Sequence, residues 1–227
     1  AETLFRVHGS DGADPCDPWR SNPYPHKSVP DEQSIGKVRR RLEGSGLETH
    51  PTPLCSDENW LDYAPITWDS YPNTGDSKAD AENALLRDAL KYENVKLASN
   101  ARVLRLNAAN NGKEIISLDV KHGDETVTKR PKWVVVSAGA VNSAALLLRS
   151  ADSKNPGGLS NSSGMVGGNY MSHHCTFLMM VDPSEINDAV YQKTVSINEF
   201  YLGGGEGNLP LGHVQMCGKI SPPMVQG

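Results

Sequence analysis

Residues 133–150 have the types and spacing of a strand, turn and helix that contact a nucleotide. The β-branched run Val134 to Val136 predicts a strand buried on both faces. Gly139 then permits a turn that a side chain would block, and Asn142 or Ser143 is placed to cap a Leu-rich helix. The start of such a helix directs unpaired N–H groups and the positive end of its dipole outward, where a phosphate or ribose oxygen could bind. The same pattern also fits any buried strand joined to a packed helix.

Metal-ligating residue types are present but scattered. The four cysteines, at positions 16, 55, 175 and 217, show no CxxC spacing, whereas zinc sites usually pair ligands close in sequence. His173, His174 and Cys175 are adjacent, but successive side chains of an extended segment point to opposite faces and cannot share one ion. We therefore predict no metal site.

The composition allows a sizeable core with much loop around it. The chain has 227 residues, of which 37% are hydrophobic, with 21 glycines and 15 prolines. The net charge is −5. The one basic run, Arg39 to Arg41, falls on a predicted helix and is expected to be a solvated face, not a nucleic-acid patch. With no apolar run of membrane-spanning length, we predict neither a nucleic-acid partner nor a membrane span in this chain, and no compartment is indicated.

Two helices are predicted in the first half of the chain. The first 76 residues are otherwise irregular, because eight prolines between positions 15 and 65 interrupt any period. The first helix begins near Asp31 and ends around Gly44. Its inward-facing residues are Ile35, Val38 and Leu42. The second helix spans residues 77–92, with Ser77 as its N-cap.

Short strands joined by turn signals follow the second helix. Val95 and Leu97 are spaced as on one strand face, and residues 103–106 predict a strand with Leu104 and Leu106 on one face. Turn signals at 110–112 and 122–124 contain Asn or Asp beside Gly. The strands at 116–121 and 126–128 complete an antiparallel meander, in which Ile116 should face inward.

Beyond Ser150 the sequence changes character. Residues 153–168 are rich in Ser, Asn and Gly and predict a loop or a crossing between domains. Three strands are then predicted, at 176–181, 194–201 and 213–220, with no helix between them. This spacing predicts an antiparallel sheet.

In their order and spacing these segments resemble the glucose-methanol-choline (GMC) oxidoreductases, flavoenzymes that oxidise alcohols and sugars. The matching pieces are Asn100 to Leu106, Val134 to Ser143 with Leu146 to Leu148, and Val166 to His173. The resemblance implies an α+β or α/β fold. It would comprise part of a Rossmann-like FAD-binding domain with an inserted antiparallel β-meander, followed by part of an antiparallel-sheet substrate domain. The expected segments are an irregular, helix-containing one at 1–76, the FAD-binding part at 77–165 and the start of the substrate domain at 166–227.

The resemblance also implies FAD as the cofactor and an alcohol or sugar as the substrate. Val103 resembles the position whose backbone meets the adenine, and Ser137, Ala138 and Gly139 resemble the turn that passes the ADP half of FAD. Residues 169–173 are similar to the segment that leaves the cofactor domain. In the family, hydride passes from the alcohol carbon to the flavin while a His accepts the hydroxyl proton. No catalytic residue is assigned in this chain.

The chain departs from the family pattern in two ways. Ala144 stands where the family has Pro, and Ser150 is followed by Ala151 instead of Gly, which fits a bacterial or fungal sugar-oxidising branch better than glucose or choline oxidase. The family's GxGxxG fingerprint would precede Ala1 and its catalytic His would follow Gly227. We therefore expect an internal fragment that is inactive alone.

Other functions are weighed against this resemblance. A non-catalytic carbohydrate-binding or interaction module would need aromatic platforms, and beyond Ser172 the chain has Tyr191 and Tyr201 but no Trp. A nicotinamide-dependent dehydrogenase would need its own glycine motif. His213 and Gln215 share one face of a predicted strand. Since polar pairs on a strand commonly face solvent, neither is assigned a catalytic role.

Overall fold

The computed structural model of this chain describes residues 1–56, 78–191, 193–204 and 206–217. It divides into two compact units, one formed by Ala1–Val95 with Met180–Gly227 and the other by Lys96–Met179. Each unit combines helices with antiparallel strand pairs. The mixed helix-and-strand class is therefore confirmed, while the Rossmann-like part of the predicted fold stays a prediction.

The first unit is built from short strands around one longer helix. Its elements up to residue 95 are β1 (Val7–Gly9), β2 (His26–Lys27), α1 (Gln33–Gly44), β3 (His50–Pro51), β4 (Leu54–Cys55), a π-helical turn (Glu82–Leu86) and α2 (Arg87–Ala89). β1 pairs in parallel with β2 and antiparallel with β4. The sequence predicted none of these strands, because elements of two or three residues are too short to show a period.

Helix α1 matches the prediction, both in its bounds and in its buried face. Ile35 packs with Ala189 and Val195, and Leu42 lies against this cluster. The prediction that the arginines form a solvated face is wrong for Arg39, whose side chain is only 18% exposed. Its guanidinium donates to the Asp31 carboxylate through Nε–Oδ2 (2.5 Å) and Nη2–Oδ1 (3.0 Å) hydrogen bonds.

The Asp31 carboxylate joins α1 to a later segment of the chain. It accepts a hydrogen bond from Thr194 Oγ1 (2.6 Å) as well as those from Arg39. Burial alone would raise the pKa of Asp31, but the hydrogen bonds from Arg39 and Thr194 and the guanidinium charge outweigh it and hold the pKa below its ordinary value. Asp31 is therefore ionised in the folded protein at neutral pH.

The helix predicted over 77–92 is much shorter than expected. It comprises only the π-helical turn and α2. The Asp80 carboxylate accepts hydrogen bonds from the N–H groups of Glu82 and Asn83 (2.8 and 2.9 Å) at the start of the π-helical turn. The predicted N-cap, Ser77, lies outside the described residues. The strand predicted at Val95 and Leu97 is wrong, because Leu97 is exposed and neither residue joins a strand ladder.

The second unit contains the predicted meander. Strands β5 (Ala101–Ala108), β6 (Ile115–His122) and β7 (Glu125–Lys129) form an antiparallel sheet in the order β5-β6-β7. Gly112 (φ 69°) and Gly123 (φ 61°) adopt left-handed backbone in the two connecting turns. The turn signals in the sequence therefore placed both turns correctly.

Two β-bulges change which side chains of the meander face inward. The register shifts by one residue between Val103 and Arg105, leaving Leu104 without a direct partner on β6. Val103 and Leu106 then pack into one apolar cluster, so the prediction that Leu104 and Leu106 share a face is wrong. A second shift leaves Ile116 about half exposed, against its prediction. An inserted residue inverts the alternation that the prediction assumed.

The segment before the glycine turn is extended but is not a strand. Val134 and Val136 pack against the cluster, whereas Trp133 is 82% exposed and Val135 is 85% exposed. The prediction of a strand buried on both faces is therefore wrong, because no described strand lies beside this segment to form a ladder. Helix α3 (Ala140–Arg149) follows directly, as predicted.

The irregular segment after α3 contributes to the apolar cluster that contains Val103 and Leu106. Leu106, Leu146 and Leu159 are its buried members, and Leu159 comes from the predicted loop at 153–168. The strand predicted at 176–181 is wrong, because these residues are exposed and join no described ladder. No helix within the described ranges is long and apolar enough to cross a membrane.

Two short strands of the first unit come from the last part of the chain. They are β8 (Val195–Ile197) and β9 (Val214–Gln215), with a 3-10 turn at Glu206–Asn208 between them. They form an antiparallel sheet with β3 in the order β3-β8-β9. The predicted antiparallel pairing is confirmed for these parts of the predicted strands, and residues 218–220 lie outside the described ranges.

Candidate functional site: the turn before helix α3

The predicted cofactor-contacting turn, Ser137 to Gly139, is exposed and ends at the N-terminus of α3. Gly139 is the N-cap residue, with φ 80° and ψ 164°, a backbone conformation that favours glycine. A Cβ at this position would meet nothing within 4 Å. The turn therefore leaves open space in front of the helix.

The predicted caps of α3 do not cap it. The helix begins before Asn142 and Ser143, and no side chain caps its N-terminus. Instead, Ser143 Oγ accepts a hydrogen bond from the backbone N–H of Ala138 (3.0 Å). This bond fixes the turn from behind and occupies the Ala138 N–H, while the N–H groups of the first helical turn have no intrahelical acceptors.

Val103, the predicted adenine contact, lies on the edge strand β5 at the first bulge. Its carbonyl accepts a hydrogen bond from Arg149 Nη2 (2.9 Å), and the next carbonyl, of Leu104, accepts one from Arg149 Nε (2.8 Å). Both carbonyls therefore bind the side chain of Arg149, the last residue of α3. Arg149 thus clamps the position from which the predicted contact would be made.

A second set of hydrogen bonds between α3 and β5 lies beside Arg149. Ser150 is completely buried, and its hydroxyl donates to the carbonyl of Leu146 (2.6 Å) while accepting from the backbone N–H of Leu106 (3.0 Å). Arg105 Nη2 donates to the carbonyl of Ala151 (2.5 Å). These bonds fix the C-terminal end of α3 to β5.

The structure thus connects the two predicted contacts through one element, helix α3. The turn begins α3, and Val103 is tied to the residue that ends it. Val103, Val134 and Val136 also pack against the same apolar cluster. Sequence reasoning missed Arg149 and Ser150. A basic residue in the last turn of a helix is a known signal for carbonyl contacts, but its partners on β5 could not be found from spacing.

The residues of this site carry few groups that could take part in a reaction. The predicted contacts supply backbone groups and one hydroxyl, that of Ser137. Asp152 and Asp119, elsewhere in the unit, accept hydrogen bonds that hold the pKa of each carboxyl below its ordinary value. Both carboxylates are therefore ionised and unsuited to accepting a proton at neutral pH.

The described residues show no arrangement of three or more His, Cys, Asp or Glu side chains that could hold a metal ion. Burial raises the pKa of the Cys16 and Cys55 thiols, and the carboxylates of Asp14 and Glu2, respectively, add to this effect. Both thiols therefore stay protonated at neutral pH, which is not the form that binds metals.

Comparison with known proteins places the site within a matched region. The sequence profile of the GMC oxidoreductases matches residues 55–175, a range that includes β5 and the turn before α3. The paromamine 6'-oxidase of Streptomyces fradiae is 37% identical over 130 residues, which are 54% of this chain and 24% of that protein. The chain thus spans about a quarter of the length of that relative. Since the family profile covers more than half of the chain, this protein belongs to the GMC oxidoreductase family.

Proposed function

We propose that this chain is part of an FAD-dependent oxidoreductase that oxidises a CH–OH group of an alcohol or sugar by hydride transfer to flavin. The observation that carries the proposal is the family match over residues 55–175, which spans both predicted cofactor contacts. The name of the relative, an oxidase of paromamine at its 6' position, supports oxidation as the reaction.

The residues of the second unit fit the ADP half of FAD. The turn at 137–139 is exposed, the space in front of Gly139 is open and α3 has no side-chain cap, which suits an anionic diphosphate. The Val103 carbonyl has a second lone pair besides the one used by Arg149. The turn begins α3 and Val103 is hydrogen-bonded to its last residue, an arrangement that suits a ligand with more than one binding group, as a dinucleotide has.

In this proposal the described residues bind and orient the cofactor, and FAD supplies the hydride acceptor when bound. The Ser143 bond to Ala138 holds the turn, and Arg149 holds the strand on which Val103 lies. We assign no proton acceptor within the second unit. The division into segments 1–76, 77–165 and 166–227 stays a prediction.

The alternative of a carbohydrate-binding module gains no support from the two tyrosines considered as platforms. Tyr191 is buried with Leu54 in an apolar cluster. Tyr201 is about half exposed. One tyrosine is too little for an aromatic binding face, so we propose oxidation and not carbohydrate binding alone.

The proposal is tested on the protein made from the complete coding region. Flavin retained through gel filtration is identified after release by denaturation, and its absorbance is followed anaerobically with a panel of alcohols and sugars. We expect bound FAD that loses its oxidised absorbance with at least one of them. A protein that folds but retains no FAD, or whose FAD is reduced by none of these compounds, would contradict the proposal.

A matched pair of glycine variants tests the turn itself. Gly139→Ala and Gly123→Ala each add a methyl group into open space at a left-handed position, so both carry backbone strain, but Gly123 lies in a turn of the meander. We expect Gly139→Ala to lower FAD occupancy and Gly123→Ala to leave it near the wild-type level. An equal loss in both variants would assign the effect to stability and not to the cofactor site.

A further inference from the structure

The turn between β5 and β6 carries the one Asn–Gly pair of the sequence. Asn111 is followed by Gly112, and no other asparagine of the chain precedes a glycine. The Asn111 side chain is exposed, and both residues lie between the two strands, outside their ladder. Glycine has no side chain to crowd the approach of its own backbone nitrogen to the amide carbon of Asn111. Such a pair can close a succinimide ring, the first step of asparagine deamidation.

Two hydrogen bonds of the turn act on this reaction in opposite directions. Asn111 Oδ1 accepts the backbone N–H of Lys113 (2.9 Å), and a donor at this oxygen stabilises the negative charge that develops there when a nucleophile attacks Cγ. The attacking group, the backbone N–H of Gly112, donates to the carbonyl of Ala109 (2.8 Å). The turn therefore activates the carbon and restrains the nitrogen.

We propose that Asn111 is a site of spontaneous deamidation and that opening of the turn limits its rate. In the first step the bond from Gly112 N to Asn111 Cγ forms and the Cγ–Nδ2 bond breaks. The amide proton of Gly112 passes to water, and Nδ2 takes up a proton and leaves as ammonia. Water then opens the ring at one of its two carbonyl carbons, which gives aspartate or isoaspartate. Both products replace a neutral amide with a carboxylate, and water is the sole co-reactant.

The isoaspartate product should disturb the second unit because the turn packs closely on the segment after α3. A Cβ built on Gly112 would lie 3.1 Å from Lys154 Cβ and 3.5 Å from Asn155 Nδ2. Asn155 is itself held by its backbone N–H, which donates to Asp152 Oδ1 (2.7 Å). Isoaspartate adds one methylene to the main chain before Gly112, and this contact leaves little room for it. Aspartate leaves the length of the main chain unchanged and adds only charge.

The test follows deamidation in the protein made from the complete coding region, incubated at neutral and at mildly alkaline pH. Trypsin cleaves after Arg105 and Lys113 and releases the peptide that contains Asn111, in which mass spectrometry locates the exchange of NH₂ for OH. Asn155 is the internal control, because the proline after it has no N–H and cannot follow this route. We expect the exchange at Asn111, a faster one at the higher pH, and none at Asn155. The variant Asn111→Gln should abolish it, since a glutamine would have to close a larger ring.

The same incubation in urea tests the role of the turn. In the unfolded chain water can donate to Oδ1 in place of Lys113, while the Gly112 nitrogen is released from Ala109. Loss of one net hydrogen bond corresponds to roughly a two- to tenfold change in rate, so we expect deamidation in urea to be faster by about that factor. Equal rates in the native and unfolded protein would refute control by the turn. Exchange in urea with none in the native protein, or exchange at Asn110 as fast as at Asn111, would refute the site.

Aged protein and the variant Asn111→Asp separate the added charge from the altered main chain. Isoaspartate is measured by labelling with an isoaspartyl methyltransferase, and stability is measured by urea unfolding. We expect the midpoint of the isoaspartate form to fall below that of unaged protein, and the midpoint of Asn111→Asp to stay near it. Equal midpoints for all three would show that the turn does not need its close contact with Lys154 and Asn155. The measurements use neither cofactor nor substrate, so their outcome is independent of the proposed function.

Discussion

Gly158 is the position where a single added methyl group should disturb the second unit most. It has φ +103°, and a Cβ built on it would lie 2.8 Å from Leu148 Cα and 3.0 Å from the carbonyl oxygen of Leu147. Both contacts are backbone atoms of α3, so they can be relieved only by moving the helix or the backbone of the loop that carries Gly158. The neighbouring Leu159 donates its N–H to Leu147 O (3.0 Å) and is buried, which holds the loop against the helix.

Two contributions set the size of the effect of Gly158→Ala. A non-glycine residue in sparsely populated backbone space costs about 1–3 kcal/mol, and overpacking a close contact costs about 1–3 kcal/mol. Their sum is a loss of about 2–6 kcal/mol in the free energy of unfolding of the second unit. With a urea dependence of about 1–3 kcal/mol per molar, the unfolding midpoint should fall by about 0.7 M or more.

Gly157→Ala is the matched control because the same change is made one residue earlier. A Cβ there would meet only Asn161 Nδ2, at 3.6 Å, which is ordinary contact, and Gly157 does not have positive φ. We expect a change within about 1 kcal/mol, in either direction. Both variants are unfolded in urea and followed by far-UV circular dichroism. Equal midpoints for the two variants would refute the close approach of the loop to α3.

Three further predictions concern the hydrogen bonds of Ser150, Arg149 and Asp31. Ser150→Ala should lower the free energy of unfolding by about 1–3 kcal/mol, since it leaves the buried N–H of Leu106 without its acceptor, and urea unfolding measures this loss. Arg149→Met should lower FAD occupancy more than it lowers the thermal midpoint, because it releases the Val103 carbonyl; equal effects on both would contradict its positioning role. Because folding lowers the pKa of Asp31, the stability that this carboxylate adds is full above about pH 4 and is lost as the pH falls further. Asp31→Asn should therefore lower the urea midpoint at pH 7, and the difference from wild type should shrink towards pH 3.

The parts of the fold that were predicted correctly are those encoded locally. The meander has alternating residues and glycines where the backbone must turn, so Gly112 and Gly123 mark its connections in the sequence itself. Helix α1 likewise carries its apolar stripe at helical spacing, with Ile35 and Leu42 on one side. Neither inference needed knowledge of a distant partner.

The incorrect predictions for the buried strand and the meander depend on a partner that the local sequence does not specify. Val135 was expected inside a sheet, but without a described neighbouring strand it is exposed. The bulge at Leu104 inverts an alternation that looks regular, because an inserted residue shows only against the paired strand. For the same reason the turn at Ser137 to Gly139 could be proposed from its sequence, while the hydrogen bonds by which Arg149 and Ser150 fix the other end of α3 to β5 could not.

Helix α3 joins the turn to β5. Helix α3 has ten residues and is therefore about 15 Å long. Its first turn borders the open space beyond Gly139, while Arg149 and Ser150 fix its other end to β5. A helix of this length moves as a rigid body, so loosening its C-terminal end must also displace its N-terminal N–H groups. Substitutions at Ser150 or Gly158 should therefore weaken cofactor binding although neither residue borders the turn, and cofactor binding should in turn protect the amides of α3 from hydrogen exchange along its whole length. Protection confined to the first turn of α3 would show that the two ends of the helix are not coupled.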